Sequence, residues 1–200
     1  MTSTVIKVPK LRFSEPRRNL SNKSSRKNTE RDFTLNFARS YISQIEALHH
    51  GATRTKVDFA REIPINGFGI ADLVMVFQNP KKPKFRDCMS DNANSPQVTE
   101  YIIRAFELKM ADWRRALIQA HRYRYFADAV IVVLPIEKLK IASNYSNTFK
   151  SIKVGLWGFD PLKKQIITLY TPRPSNPLEP KYKPRAIKLV SQASKSQQFA

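Results

Sequence analysis

The 200-residue chain is long enough for one folded domain, because a chain of this length typically buries roughly 70% of its unfolded surface. Its apolar fraction of 42% excludes a wholly disordered protein, and its single cysteine, Cys88, excludes an intramolecular disulfide and a cysteine-rich zinc site. Lys and Arg number 35 against 16 Asp and Glu, and the resulting charge of +19 predicts a polyanionic partner, nucleic acid first of all.

The first 31 residues carry nine Lys or Arg side chains, Arg17 and Arg18 among them, against only Glu15 and Glu30. This composition predicts a flexible basic arm in which Arg17 and Arg18 bind nucleic acid. The arm holds no apolar run of the signal-peptide kind, and no later apolar stretch approaches the roughly 20 residues that cross a bilayer. Together with the single cysteine, this predicts a soluble, cytoplasmic protein with no membrane partner.

A helix and a hairpin are predicted next along the chain. Apolar residues at 33, 37, 41, 45 and 48 have helical spacing, and Gly51 follows as a cap, which predicts a helix over residues 33–49. Alternating apolar residues over 56–64, the turn at Asn66 and Gly67 and the apolar run 70–77 predict an antiparallel hairpin. The segment 78–100 contains three prolines and predicts a long basic loop, with Lys81, Lys82 and Lys84 as nucleic-acid contacts.

The second half of the chain predicts the rest of a sheet. A strand over 101–109 leads into a helix capped by Asp112 that runs through Ala127, and the apolar run 129–134 predicts a central strand. A short helix and a loop over 136–150 precede a hairpin near 154–159 and 165–170, and residues 171–200 predict a loose Pro-rich tail. The fold class is therefore α/β, with a central mixed β-sheet flanked by helices over residues 32–170.

Three charged residues of this sheet form the candidate site. Glu107 and Lys109 project from one face of their strand, since side chains alternate, and Ile103 and Ala105 on that face predict that it is buried. Asp72 begins the strand that follows the hairpin turn. Carboxylates are the hard oxygen ligands that Mg²⁺ prefers, and an ammonium group can hold an attacking water or balance phosphate charge. The pattern therefore favours metal-assisted phosphodiester hydrolysis.

Residues 70–74, 106–109 and 115–125 resemble, in order and element type, the motifs of the PD-(D/E)XK nuclease superfamily, with Ala71 in place of the usual Pro. The resemblance covers about residues 33–135 and implies a restriction-endonuclease-like core. It implies Asp72 and Glu107 as ligands of Mg²⁺, or Mn²⁺ in its place, and Lys109 and Gln119 as catalytic residues. It also implies that the backbone carbonyl of Leu108 helps to ligate the metal. An acid from the first helix sometimes contributes, and Glu46 is the only acid in the predicted helix.

Each candidate also has a plainer interpretation. Glu-x-Lys occurs by chance about once per 200 residues, and Glu179-Pro180-Lys181 repeats it in the tail without a preceding strand. Asp72 can be an ordinary turn residue, and Gln119 and His121 can be helix-surface residues. Half of the arginines of the second predicted helix can be solvated, and we assign only Arg122 to nucleic-acid binding next to the site.

The sequence therefore predicts a Mg²⁺-dependent endonuclease that hydrolyses phosphodiester bonds in DNA. Two alternatives stay open: a non-catalytic nucleic-acid-binding protein on the same fold, and a basic RNA-binding or ribosome-associated protein, which would not require buried carboxylates. The sequence does not choose between duplex, branched and single-stranded DNA. It also leaves open a homodimer and a partner protein that supplies targeting.

Overall fold

Five α-helices and six β-strands form the part of the chain that the structure, a computed structural model, describes: residues 23–49, 56–65, 67–80 and 99–196. The elements in chain order are α1 (Lys23–His49), β1 (Lys56–Ile65), β2 (Gly69–Pro80), β3 (Thr99–Leu108), α2 (Trp113–Tyr123), β4 (Ala129–Pro135), α3 (Ile136–Ser143), α4 (Ser146–Ser151), β5 (Val154–Asp160), β6 (Gln165–Tyr170), a short 3₁₀ helix (Pro180–Tyr182) and α5 (Lys183–Ser196). Arg17, Arg18, Lys81, Lys82 and Lys84 lie outside the described residues, as does the predicted arm through residue 22.

The six strands form one mixed sheet in the order β1-β2-β3-β4-β5-β6. β1, β2 and β3 pair antiparallel, β3, β4 and β5 pair parallel, and β6 returns antiparallel to β5. Every residue of β4 is buried, which confirms the predicted central strand. The predicted hairpins and the α/β architecture with a mixed sheet flanked by helices are likewise confirmed.

Helices cover both faces of the sheet. On one face, α1 buries Phe33, Phe37, Tyr41 and Ile45 against Phe106 and its neighbours, as the helical spacing predicts. On the other face lie α2, α3, α4 and α5, packed on the alternate residues of the strands. No helix among the described residues is long and apolar enough to span a membrane.

The start of α1 differs from the prediction. The helix begins at Lys23 rather than at residue 33, so the end of the predicted arm is helical. Residues 23–32 carry no apolar residue to mark helical spacing, but Lys, Arg and Glu have good helix propensity and extend a helix that is anchored further along. The consequence is that Glu30 belongs to the helix that covers the sheet.

The prediction of a loose tail over residues 171–200 is wrong for its described part. Ala186 and Val190 of α5 are fully buried, and α5 packs along β1, the first edge strand of the sheet. The Lys183 ammonium lies 2.8 Å from the carboxylate of Asp128. The prolines were misleading because all but Pro184 precede α5, and Pro184 occupies its first turn, where proline is tolerated.

Two smaller boundaries also differ. The segment 136–150 forms two short helices, α3 and α4, instead of one helix and a loop. The helix capped by Asp112 ends at Tyr123 instead of Ala127, although the cap itself is confirmed, since the Asp112 carboxylate accepts the N–H of Arg115 at 3.0 Å.

Candidate active site

The antiparallel pairing of β2 with β3 places Asp72 opposite Glu107. The pairs of this ladder run up to Leu73 and Phe106, and the next row in the same register holds Asp72 and Glu107. Asp72 Oδ2 accepts the backbone N–H of Leu108 at 2.7 Å, which fixes its carboxylate at the end of β3. The two acids that lie 35 positions apart in the sequence are therefore adjacent in the fold.

Glu107 has no exposed surface and is held by Tyr123 of α2. The Tyr123 hydroxyl lies 2.6 Å from Glu107 Oε2 and 2.7 Å from the carbonyl oxygen of Ile70. A hydroxyl has one proton to donate, so both contacts are hydrogen bonds at the same time only when Glu107 itself carries a proton. No sequence motif marks Tyr123 as a site residue, although helical spacing predicts that it lies on the apolar face of α2.

Lys109 lies between two carboxylates. Its Nζ is 3.3 Å from Glu107 Oε1 and 3.9 Å from Glu30 Oε2, and its side chain is 19% exposed. Glu107 Oε1 is buried, and the Lys109 ammonium is its charged partner. A buried carboxylate oxygen in this state is a strong candidate for a cation ligand.

Burial and mutual repulsion change the protonation of these groups. Burial, followed by repulsion from Asp72, raises the pKa of Glu107 from its ordinary 4.5 to about 7, against the opposing effects of Lys109 and Tyr123. Burial also raises the pKa of Asp72, while the Leu108 N–H acts to lower it. For Lys109, burial lowers the pKa but the neighbouring carboxylates more than offset it, so the pKa is raised. Lys109 therefore stays charged, and Glu107 titrates near neutral pH.

The acid that α1 brings to the site is Glu30. Besides its contact with Lys109, Glu30 Oε1 accepts the N–H of Met110 at 3.4 Å. The predicted candidate, Glu46, is exposed and lies roughly 24 Å further along the helix at about 1.5 Å per residue. No sequence signal marks Glu30, because residues 23–32 carry no apolar residue that would extend the helical spacing, although Glu30 lies one helical turn before Phe33.

A cleft of about 380 Å³ opens beside Glu30, Asp72 and Lys109. Its lining combines acidic and basic side chains from four elements or their ends: Glu30, Arg31, Thr34, Arg61, Glu62, Asp72, Leu108 and Lys109. Glu62 lies opposite Asp72, because its neighbours Arg61 and Ile63 pair with Leu73 and Ala71. Its φ is 53°. Such a φ is uncommon outside glycine and is enriched at functional sites. Sequence analysis missed Arg61 and Glu62, which carry no motif.

The other predicted site residues that the structure describes, Gln119 and Arg122, lie on α2. Gln119 lies one turn before Tyr123; its Oε1 is buried with no hydrogen bond from the described residues, and it does not line the cleft. Arg122 is exposed. Burial and the nearby Arg124 lower the pKa of His121. The duplicate Glu-x-Lys triplet forms an exposed ion pair of 3.3 Å between Glu179 and Lys181, and neither residue lines the cleft.

Within the described residues, no group of three or more His, Cys, Asp or Glu side chains is arranged to hold a metal ion. The Lys109 ammonium instead provides positive charge between Glu107 and Glu30. The predicted role of the Leu108 carbonyl stays a prediction, although Leu108 lines the cleft.

Comparison with known proteins does not assign this site to a family or to an activity. No protein-family model matches the chain, and no curated protein matches it either. The function is therefore inferred from the residues of the site.

Proposed function

We propose that this protein is a metal-dependent phosphodiesterase that cleaves DNA internally, built on a restriction-endonuclease-like core. The observation that carries the proposal is the meeting of Asp72, Glu107 and Lys109 at the end of β3, with Glu30 of α1 beside them. The order of elements from α1 to β4 agrees with the core that the resemblance to the PD-(D/E)XK superfamily implies.

Carboxylate and carbonyl oxygens are the donors that a hard divalent cation such as Mg²⁺ or Mn²⁺ prefers. Asp72, Glu107 and the Leu108 carbonyl would hold it, and Glu30 is the fourth candidate ligand. Support comes from Glu107, which is fully buried next to Asp72, so that burial and then repulsion from Asp72 raise its pKa. When bound, the cation supplies charge neutralisation at the phosphate and a more acidic water.

The side chains of the protein have distinct roles in this proposal. Lys109 stays protonated, so it acts by charge: it balances the negative charge that develops on the phosphate oxygens as water attacks phosphorus in line with the leaving oxygen. Tyr123 positions Glu107 by donating to Oε2 when that carboxyl is ionised. Asp72 is held in place by the Leu108 N–H and does not depend on solvent for its orientation.

The basic side chains of the cleft support a phosphate-containing substrate. Arg31 and Arg61 line the same cleft as Asp72 and Lys109, and the chain carries a net charge of +19. Dense rows of phosphates attract such a surface because counterions are released on binding. DNA is the proposed substrate, and an RNA of the same sequence is the comparison that tests this choice.

The proposal is tested by incubating supercoiled plasmid, linear single-stranded DNA and matched RNA with the protein in Mg²⁺, in Mn²⁺ and in a chelator. We expect metal-dependent cleavage of DNA that is lost in Asp72→Asn and Lys109→Ala. Lys181→Ala is the matched control, because Lys181 ends the duplicate Glu-x-Lys triplet outside the site. Metal-independent nicking that is equal in all four proteins would overturn the proposal, and tight DNA binding without cleavage in either metal would favour the non-catalytic alternative.

A further inference from the structure

An arginine lies over two aromatic rings just beyond the end of β3. The guanidinium carbon of Arg114 is 4.5 Å from the ring centroid of Trp113 and 5.4 Å from that of Tyr145. The two rings are 4.7 Å apart between centroids and inclined by 35°. Trp113 is 8% exposed and Tyr145 is 42% exposed, so Trp113 is the buried member of the cluster and Tyr145 the exposed one.

This cluster lies near the candidate active site. Trp113 is the first residue of α2 and follows Lys109 by four positions, so their Cα atoms are at most about 14 Å apart. Tyr145 comes from the junction of α3 and α4 and is held against α2 by Trp113, which also contacts the buried ring of Phe149. The cluster therefore has a fixed place next to the end of β3.

Exposed aromatic rings combined with arginine are the chemistry by which proteins bind unpaired bases. A base stacked on such a ring contributes about 1–3 kcal/mol, and a guanidinium held by cation–π contact is pre-oriented toward base or phosphate. A base within a duplex is already stacked on its neighbours and is unavailable. A stack that only stabilised the fold would leave the exposure of Tyr145 without a role.

We propose that Trp113, Arg114 and Tyr145 form a platform on which an unpaired base of a DNA strand stacks, so that the substrate is single-stranded DNA. This inference rests on the proposed nuclease function, because it names the substrate of that site. Tyr145 supplies the ring, Trp113 supports it, and Arg114 contacts the stacked base or its phosphate. The net charge of +19 supplies affinity that does not depend on base pairing.

The test is binding of a labelled single-stranded 20-mer and of the corresponding duplex, measured by fluorescence anisotropy in chelator so that no cleavage occurs. We expect Tyr145→Leu, which keeps apolar volume but removes the π-face, to weaken single-strand binding by about 5- to 100-fold. Duplex binding should change less than about twofold, and Tyr145→Phe should bind like the wild type.

A second pair of variants distinguishes the contribution of charge to DNA binding from the contribution of base stacking. Arg114→Ala should weaken single-strand binding more than duplex binding, whereas Arg115→Ala, the exposed neighbour of equal charge, should weaken both to the same extent. Unchanged thermal melting of Tyr145→Leu would show that its fold is intact. No loss of single-strand affinity in Tyr145→Leu, or an equal loss on the duplex, would overturn the platform.

Cleavage assays on the same proteins distinguish this inference from the proposed function. If Tyr145→Leu binds single strands like the wild type while Asp72→Asn loses metal-dependent cleavage, the platform is wrong and the nuclease stands. If Tyr145→Leu loses single-strand affinity while the wild type cleaves nothing in either metal, the nuclease is wrong and the protein is a single-strand binder.

Discussion

Asp72 and Leu108 are joined by a hydrogen bond of 2.7 Å from the Leu108 backbone N–H to Asp72 Oδ2. The bond crosses from β2 to β3 next to the last paired residues of the ladder, Leu73 and Phe106. It holds the carboxylate against the backbone between Glu107 and Lys109. The Asp72 side chain therefore has two separate properties, its negative charge and its ability to accept this hydrogen bond. Different substitutions at this position remove them separately.

Asp72→Asn removes the charge and keeps an acceptor oxygen for Leu108. We expect cleavage to fall at least about 100-fold, because a neutral amide is a poor cation ligand, while the melting temperature stays within a few degrees of the wild type. Asp72→Ala should in addition lose about 1–3 kcal/mol of unfolding free energy, since the Leu108 N–H is left without its acceptor. Cleavage of plasmid and of linear single-stranded DNA measures the first effect, and urea denaturation measures the second. Wild-type cleavage by Asp72→Asn would contradict the assigned role.

The stability of the fold should depend on pH through Glu107. Its pKa is raised in the folded state from 4.5 to about 7, so between these values the folded protein binds more protons than the unfolded chain, and stability falls as pH rises. The penalty of ionising this buried group reaches up to about 3 kcal/mol above pH 7, at about 1.4 kcal/mol per pH unit. Glu107→Gln, which is neutral at every pH, should equal the wild type near pH 4.5 and exceed it at pH 8.

Urea denaturation at several pH values measures this difference. Glu46→Gln is the matched control, because it makes the same substitution at an exposed position of α1. A stability gap between wild type and Glu107→Gln that stays constant from pH 4.5 to 8 would show that Glu107 does not titrate in this range.

Glu30 and Glu46 of α1 should differ in their effect on activity. Glu30→Gln should raise the Mg²⁺ concentration needed for half-maximal cleavage by about 10- to 100-fold, because it removes a carboxylate that lies 3.9 Å from Lys109 Nζ and bonds the Met110 N–H. Glu46→Gln should leave this concentration unchanged. A metal titration of cleavage compares the two variants. Equal curves would place Glu30 outside the metal site.

The C-terminal helix should contribute to global stability. Val190 is fully buried in the core beside β1, so Val190→Ala should lower the unfolding free energy by about 1.5–3 kcal/mol. Lys195→Ala, at an exposed position of the same helix, should change it by less than about 0.5 kcal/mol. Equal denaturation midpoints for both variants would mean that α5 does not pack on the sheet in solution.

Local patterns in the sequence predict most of the secondary structure and part of the candidate site. The stripe of Phe33, Phe37 and Tyr41, the apolar run of β4 and the Asp112 cap each follow from backbone periodicity or a single side chain, which a short segment determines alone. The common face of Glu107 and its buried neighbours follows from strand alternation in the same way.

Only the tertiary structure decided which residues meet. The register of β2 against β3 puts Asp72 opposite Glu107, and contacts between distant segments bring Glu30, Tyr123 and α5 to their places. Glu46 appeared to be the acid of α1 because the apolar stripe marks where a helix is anchored, and polar residues extend it without a sequence signal. Periodicity is a property of the local backbone, whereas register and helix extension depend on packing between segments far apart in the chain.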